Sequence, residues 1–200
     1  MTITMPSTTA FATSSFFLET NTQTFESPLN RAAQRLELSG QRWRGTWTLP
    51  AMTKANAAAW ISFFMQLKGQ VNTFTASDPD WQTNLGAWSG TPLVKGASQT
   101  GNSLLIDGAT INITDWGKAG DYFNLASRLY RLTASANSNG SGEVTLAFEP
   151  PILVAPADNA ALTKNPATIE MRLLDDSSGE WTSGISNIYE SRSFSAVEDI

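Results

Sequence analysis

One stretch of the chain changes from the two-residue period of a β-strand to the period of an α-helix. The change begins at Thr53, which suits a helix N-cap, and alanines fill the first turns. The stretch ends at Gly69, the residue type favoured just past a helix end. An apolar stripe at i, i+3, i+4 and i+7 consists of Trp60, Phe63, Phe64 and Leu67. The pattern predicts a helix over residues 53–68 that packs on a sheet through this stripe.

Two further apolar residues, Ile61 and Met65, form a second line on the same predicted helix. A helix that packs on one sheet needs only one apolar stripe, so a second line indicates another neighbour. We therefore expect Ile61 and Met65 to lie at an interface with another subunit.

The residues before this helix alternate as strands do. Residues 42–49 place Trp43 and Trp47 on one face and arginines and threonines on the other, so we expect both tryptophans in the core. Residues 34–39 alternate as well. The short link 39–41 between the two segments predicts a hairpin.

The middle of the chain has short segments separated by glycines, which predicts a small all-β unit. Its clearest hairpin joins residues 128–134 to 142–148 around Asn139 and Gly140. Alternation resumes near residue 167 and continues to the end. We predict a mainly β fold, a sandwich or barrel with one packed helix. Its domain of residues 1–80 plus 165–200 carries an inserted all-β domain, 81–164.

The composition excludes many active sites. The chain has no cysteine and no histidine, so it lacks a thiolate nucleophile, the commonest general base and the commonest transition-metal ligands. Carboxylate chemistry, Ser/Lys chemistry or no chemistry is left, and we expect no cofactor and no metal. No apolar run is long enough to cross a membrane and no signal peptide is visible, so we expect a soluble, unprocessed protein without a membrane partner.

Charge is distributed unevenly along the chain. Of 13 basic and 18 acidic residues, 2 and 7 lie in residues 165–200, which leaves 11 of each in residues 1–164. The net charge of −5 and the lack of a basic cluster argue against a protein that grips nucleic acid by its phosphates. They allow one through which nucleic acid passes.

Two close carboxylate pairs, Asp78 with Asp80 and Asp175 with Asp176, raise the possibility of a glycosidase, for which Asp121 is a further candidate. Both pairs lie in turn sequences, where aspartate bonds to backbone, and we favour that interpretation.

Three tryptophans of the middle segment, Trp81, Trp88 and Trp116, lie in loop-like sequence. If exposed they could stack on sugar rings, which makes a carbohydrate-binding module the alternative function. Packing and subunit contact are the competing interpretation, and we favour them.

The order of these segments resembles the distal tail protein of tailed bacteriophages, and the resemblance covers nearly the whole chain. Its motifs are structural rather than catalytic. They lie at residues 36–52, 59–69, 74–79, 118–123, 129–134, 139–142 and 194–198.

The resemblance implies a tail-tube-like fold and a non-enzymatic function. Such a protein forms a homohexameric ring in the virion tail, made in the host bacterial cytoplasm. The ring joins the tail tube protein to the tip or baseplate hub proteins and leaves a channel that DNA traverses transiently. The acidic segment 165–200 could then face the channel. Similar folds also build tube and terminator rings, so another tail ring is a further alternative.

Overall fold

The computed structural model describes residues 2–7, 9–184 and 188–200. It is mainly β, with 44% strand and 9% helical residues, and it has one α-helix. The predicted fold class is confirmed, and the sheets are consistent with a β-sandwich or barrel. Within the described residues, no helix is both long and apolar enough to span a membrane.

The elements follow one another in this chain order: β1 Thr2–Thr4, β2 Thr13–Glu19, β3 Thr22–Glu26, β4 Ala33–Glu37, β5 Arg42–Leu49, β6 Met52–Thr53, α1 Lys54–Leu67, β7 Thr73–Ala76, β8 Gly90–Val94, β9 Gly101–Ala109, β10 Tyr122–Leu125, β11 Arg128–Leu132, β12 Val144–Ile152, β13 Ile169–Leu173, a 3₁₀ turn at Asp176–Gly179, β14 Ile188–Tyr189 and β15 Arg192–Glu198.

The chain divides into two compact units. The first holds residues 6–73 and 171–200, and the second holds residues 2–5 and 74–170. The predicted domain boundaries, 1–80 plus 165–200 around 81–164, stay a prediction, because a domain is defined by folding on its own as well as by compactness.

The core of the first unit forms on β5, whose central position comes from pairing with β2 on one side and β15 on the other. Its residues alternate between buried and half-buried, so Trp43, Trp47 and Leu49 enter the core. Gly45 is part of the same face, and a Cβ there would overlap the indole of Trp47. The sheet therefore accommodates the indole of Trp47 because residue 45 is a glycine and has no side chain.

Helix α1 completes this core. It begins after Thr53, which has extended backbone, and its predicted stripe of Trp60, Phe63, Phe64 and Leu67 is buried. The ring of Phe194 on β15 lies 5.9 Å from that of Trp60 and 5.4 Å from that of Trp47, measured between centroids. The helix ends as Lys68 and then Gly69 adopt left-handed backbone.

The predicted hairpin between residues 34–39 and 42–49 is wrong. Strand β4 pairs with β3, and β5 pairs with β2 and β15. Gly40 has a φ of 101°, as a turn glycine would, but the chain continues past it in the same ribbon. The glycine permits a local irregularity of the backbone here and does not reverse the chain.

The second unit contains a five-stranded sheet in the order β10, β11, β12, β9, β8. The predicted pairing of residues 128–134 with 142–148 is confirmed, since β11 and β12 are antiparallel and Leu132 lies opposite Phe148. The predicted turn is wrong in detail, because Gly142 has the positive φ expected at Asn139 and Gly140. Five buried aromatic residues of this unit form one cluster with aliphatic residues. They are Trp88, Trp116, Phe123, Tyr130 and Phe148.

Candidate functional site

Residues 13–49 form one long antiparallel hairpin with an irregular centre. In its inner half, β2 and β5 pair from Thr13 with Thr48 to Glu19 with Arg42. In its outer half, β3 and β4 pair from Thr22 with Glu37 to Glu26 with Ala33. Between the halves, residues 38–41 lie opposite residues 20–21, so one side carries two extra residues. We call the outer half, residues 22–37, the arm.

The junction between the two halves is held by hydrogen bonds and ion pairs. The Leu38 N–H donates to the Asn21 carbonyl at 2.8 Å, and the Asn21 side-chain amide donates to the Ser39 carbonyl at 2.9 Å. At the adjoining end of the inner half, the Glu19 carboxylate pairs with Arg44 at 3.0 Å and Arg42 at 3.3 Å. These contacts fix the direction in which the arm leaves the sheet.

The arm forms a two-stranded sheet of its own, and every residue of β3 and β4 is exposed. A strand of a packed sheet buries at least one face, as β5 does. A two-stranded ribbon with neither face covered is marginally stable in water. The arm therefore has the structure of an element that is completed by another surface.

One face of the arm is uncharged and carries its large apolar side chains. By alternation this face carries Gln23 and Phe25 on β3 and Gln34 and Leu36 on β4. Phe25 and Leu36 are 64% and 58% exposed. The opposite face carries the charged residues Glu26, Arg35 and Glu37. We call the first of these the apolar face of the arm.

The tip of the arm is a compact turn. The Ser27 N–H donates to the Ala32 carbonyl and the Arg31 N–H donates to the Ser27 carbonyl, each at 2.9 Å. Asn30 accepts the Ala32 N–H at 3.1 Å through its side chain. The turn projects Leu29, which is 95% exposed.

A second uncharged surface lies on α1, opposite its buried stripe. Met65 is 73% exposed and Ile61 is half-buried. With Ala58 and Ser62 they form what we call the outer face of α1. Residues 55–67 contain no charged side chain, which is unusual for a helix face directed to water. Ile61 and Met65 stay predicted interface residues.

The structure contradicts the prediction that Trp88 and Trp116 contact glycans. They are 2% and 0% exposed, and their ring centroids lie 4.7 Å apart inside the second unit. Trp116 donates its indole N–H to the Ser89 carbonyl at 2.9 Å. Neither ring can present a face to a sugar. The loop-like sequence around them hides tryptophans that build the core of a small unit.

Trp81 is half-buried. The Arg131 guanidinium lies 5.2 Å from its ring and 4.9 Å from the ring of Tyr122, so the cation is held between two aromatic groups. Tyr122 donates its hydroxyl to Asp78 at 3.0 Å, and burial, followed by the negative charge of Asp78, raises the pKa of Tyr122.

Asp121, a candidate catalytic acid of the glycosidase hypothesis, is fully buried and takes part in a network of hydrogen bonds. One oxygen accepts the Leu85 N–H at 2.7 Å. The other accepts the Gly86 N–H, the Trp88 indole N–H and the Lys118 N–H at 2.8–2.9 Å. The carboxylate thereby ties two loops together.

Three of the four paired carboxylates accept backbone N–H groups, and those of Asp78 and Asp175 do so within their own turns, as the turn interpretation expected. Asp78 accepts the Asp80 N–H at 3.1 Å, and Asp176 accepts the Gln70 N–H at 3.0 Å. Asp175 accepts the Ser177 N–H at 2.9 Å, which lowers the pKa of Asp175. Within the ranges the structure covers, no group of three or more acidic residues could hold a metal ion.

The acidic segment 165–200 is not uniformly exposed. Glu198 is 4% exposed and accepts the Trp43 N–H at 3.0 Å, while Asp199 pairs with Arg172 at 3.5 Å. Part of the negative charge of this segment is thus used in contacts within the first unit.

Sequence reasoning missed the arm. Residues 22–26 read Thr-Gln-Thr-Phe-Glu, with a single apolar residue, whereas the core strand β5 has three. A strand pattern too polar to bury either face is the signal that could have revealed it.

A scan against models of protein families and a search of curated proteins find no match to this chain. The arm and the outer face of α1 are therefore interpreted from their own residues.

Proposed function

We propose that this protein is a structural subunit without catalytic function, which assembles with copies of itself into a ring. The observation that carries the proposal is the arm, an ordered ribbon whose two strands are exposed along their whole length. Its apolar face gains stability only when another surface covers it.

The size of that gain favours assembly. Burying a phenylalanine or leucine side chain is worth about 1.5–3 kcal/mol, and Phe25, Leu36 and the tip residue Leu29 are all more than half exposed. The outer face of α1 offers further apolar area at Met65. A chain with such surfaces on different elements of one unit is suited to contacts between copies.

We place this ring in the distal tail of a tailed bacteriophage, between the tail tube and the tip or baseplate hub, as a homohexamer. The placement is supported by the motif order that resembles the distal tail protein and by the mainly β fold with one helix. A channel for DNA must not hold phosphates, and a net charge of −5 agrees with that requirement. Tube and terminator rings are the alternative positions.

Sedimentation and native mass spectrometry test the assembly, alone and after co-expression with the neighbouring tail proteins. We expect a ring mass for the wild type and for Thr24→Ser on the polar face. The double variant F25S/L36S should need at least tenfold more protein to assemble. A wild type that stays a monomer in every setting contradicts the proposal.

Imaging of virions tests the position in the tail. An antibody against this protein should label the tail end opposite the capsid, and density for a ring should be found there. If purified virions lack the protein, the proposed position in the tail is wrong. Labelling along the whole tube or next to the capsid would support the tube or terminator alternative.

The carbohydrate-binding alternative is left with Trp81 of its three predicted tryptophans. Its half-buried ring stacks on Arg131, which can also bond sugar hydroxyls. If the protein binds glycans, Trp81→Ala should abolish binding on a glycan array while the midpoint of thermal unfolding is nearly unchanged. A blank array for the wild type removes this alternative.

A further inference from the structure

We propose that the apolar face of the arm of one copy covers the outer face of α1 of the next copy, in a head-to-tail contact. The inference rests on the proposed ring assembly and specifies which surfaces meet.

The two surfaces match in chemistry. The apolar face of the arm carries Phe25 and Leu36 beside the uncharged amides of Gln23 and Gln34. The outer face of α1 carries Ile61 and Met65 among alanine and serine. Neither face has a charge, and Lys54, which is exposed on the same side of α1, lies one turn before Ala58. Their contact therefore buries no unpaired ion, which would be costly.

Their lengths are also compatible. Five residues of β3 span about 17 Å at the rise of a strand. The outer face of α1, from Ala58 to Met65, spans about 12 Å at the rise of a helix. One arm laid along the helix is therefore long enough to cover this face.

A chain does not satisfy these surfaces by itself. The arm and α1 belong to the same compact unit, yet Phe25 and Met65 are both largely exposed in it. The cover for each surface must then come from another molecule.

The two surfaces are different patches of one chain, which determines the kind of assembly. When a patch binds a different patch on the next copy, each copy gives one contact and receives one, and the chain of contacts closes as a ring or grows as a filament. A symmetric dimer would instead pair each patch with itself. The proposed contact therefore agrees with a ring.

Cross-linking between copies tests the contact. Because the chain has no native cysteine, only the introduced cysteines can react. Copies with Leu36→Cys are mixed with copies with Met65→Cys, co-assembled and treated with a short bismaleimide. The matched control replaces Leu36→Cys with Thr24→Cys, on the opposite face of the same arm. We expect at least tenfold more cross-linked dimer from Leu36→Cys with Met65→Cys than from the control pair.

A second variant tests the same contact without cross-linking. Met65→Glu places a charge in the outer face of α1 and should weaken assembly at least tenfold. Asn56→Glu adds the same charge to the first turn of the helix, away from that face, and should leave assembly unchanged. Circular dichroism of both variants shows whether the helix is retained.

The outcomes separate the contact from the ring. Assembled protein with no excess of Leu36–Met65 cross-links, or with Leu36–Leu36 cross-links instead, overturns the contact and leaves the ring standing. Assembly of Met65→Glu as tight as that of Asn56→Glu overturns it as well. Monomers under all conditions overturn the ring and the contact together.

Discussion

The Asp121 carboxylate accepts the indole N–H of Trp88 at 2.8 Å, and both side chains are buried in the second unit. The same oxygen also accepts two backbone N–H groups, so one aspartate orients a core tryptophan and two loops. A residue that could be taken for a catalytic acid thus has a structural explanation for its burial.

Asp121→Asn should destabilise the protein by about 2–4 kcal/mol. Asparagine keeps one acceptor oxygen but turns an NH₂ donor toward N–H groups, which leaves buried donors unpaired. Urea unfolding followed by tryptophan fluorescence measures the loss. Asp80→Asn at an exposed position is the control and should change the free energy of unfolding by less than about 0.5 kcal/mol. Equal stability of the two variants would contradict the assigned role.

Gly45→Ala should destabilise the first unit by about 3 kcal/mol or more. The added Cβ would overlap the indole of Trp47, which has no room to move in a packed core. Gly140→Ala is the control, because the nearest atom to a Cβ there, an oxygen of Asn112, lies at 3.7 Å. In thermal unfolding, the double variant of Gly45→Ala with Trp47→Leu, which replaces the indole by a smaller side chain, should recover part of the loss. If the double variant loses the full sum of both single effects, overlap with the indole is not the cause.

Leu36→Ala should leave the stability of the dilute monomer within about 0.5 kcal/mol of the wild type, although it removes a large apolar side chain. Leu36 is exposed on the arm and stabilises little in a single copy. Leu49→Ala, the same change at a fully buried position of β5, should cost about 2–5 kcal/mol. Denaturant unfolding below the assembly concentration compares them. A large loss in the monomer at Leu36 would show that the arm already packs within its own chain.

The Glu19 ion pairs at the base of the arm predict a small pH dependence. Burial would raise the pKa of Glu19, but hydrogen bonds and charges from Arg44 and Arg42 outweigh it and lower the pKa below 4.5. A lowered pKa in the folded state contributes stability above the unfolded pKa, and this contribution is lost as pH falls through the folded value. Glu19→Gln should therefore lose less than about 1 kcal/mol at pH 7 and match the wild type at pH 2. If the difference in the free energy of unfolding between Glu19→Gln and the wild type grows toward low pH, the prediction is wrong.

The helix and the core strand were predictable because each carries a strong local pattern. The stripe from Trp60 to Leu67 allows only one amphipathic helix, and the alternation through Trp43 and Trp47 allows only one inward face. Both patterns are local, so no knowledge of the neighbouring strands is needed to interpret them.

The pairing of strands was not predictable from the same local signals. Ser39 and Gly40 have the composition of a hairpin turn, but whether such a pair reverses the chain depends on which strand lies alongside. Here the partner of β5 is β2, which lies more than twenty residues earlier in the chain. Long-range pairing of this kind is decided by the hydrogen bonds and faces of the whole sheet.

The candidate site divides in the same way. Exposure of Met65 follows from its place on the helix, whereas the burial of Trp88 and Trp116 depends on a cluster that includes Phe123 and Phe148. In this unit, the rings of Trp88 and Trp116 from loop sequence fill the core together with rings from the strands. Loop-like sequence was therefore a poor guide to exposure.

The two extra residues of the segment 38–41 give the hairpin a joint that can be altered separately from its ends. A strand presents its side chains to alternate faces, so removing one residue from each side of this joint would exchange the two faces of the arm while β2 and β5 keep their pairing. Related chains could acquire a different neighbour by a paired insertion or deletion at this joint, without redesigning either the sheet or the tip.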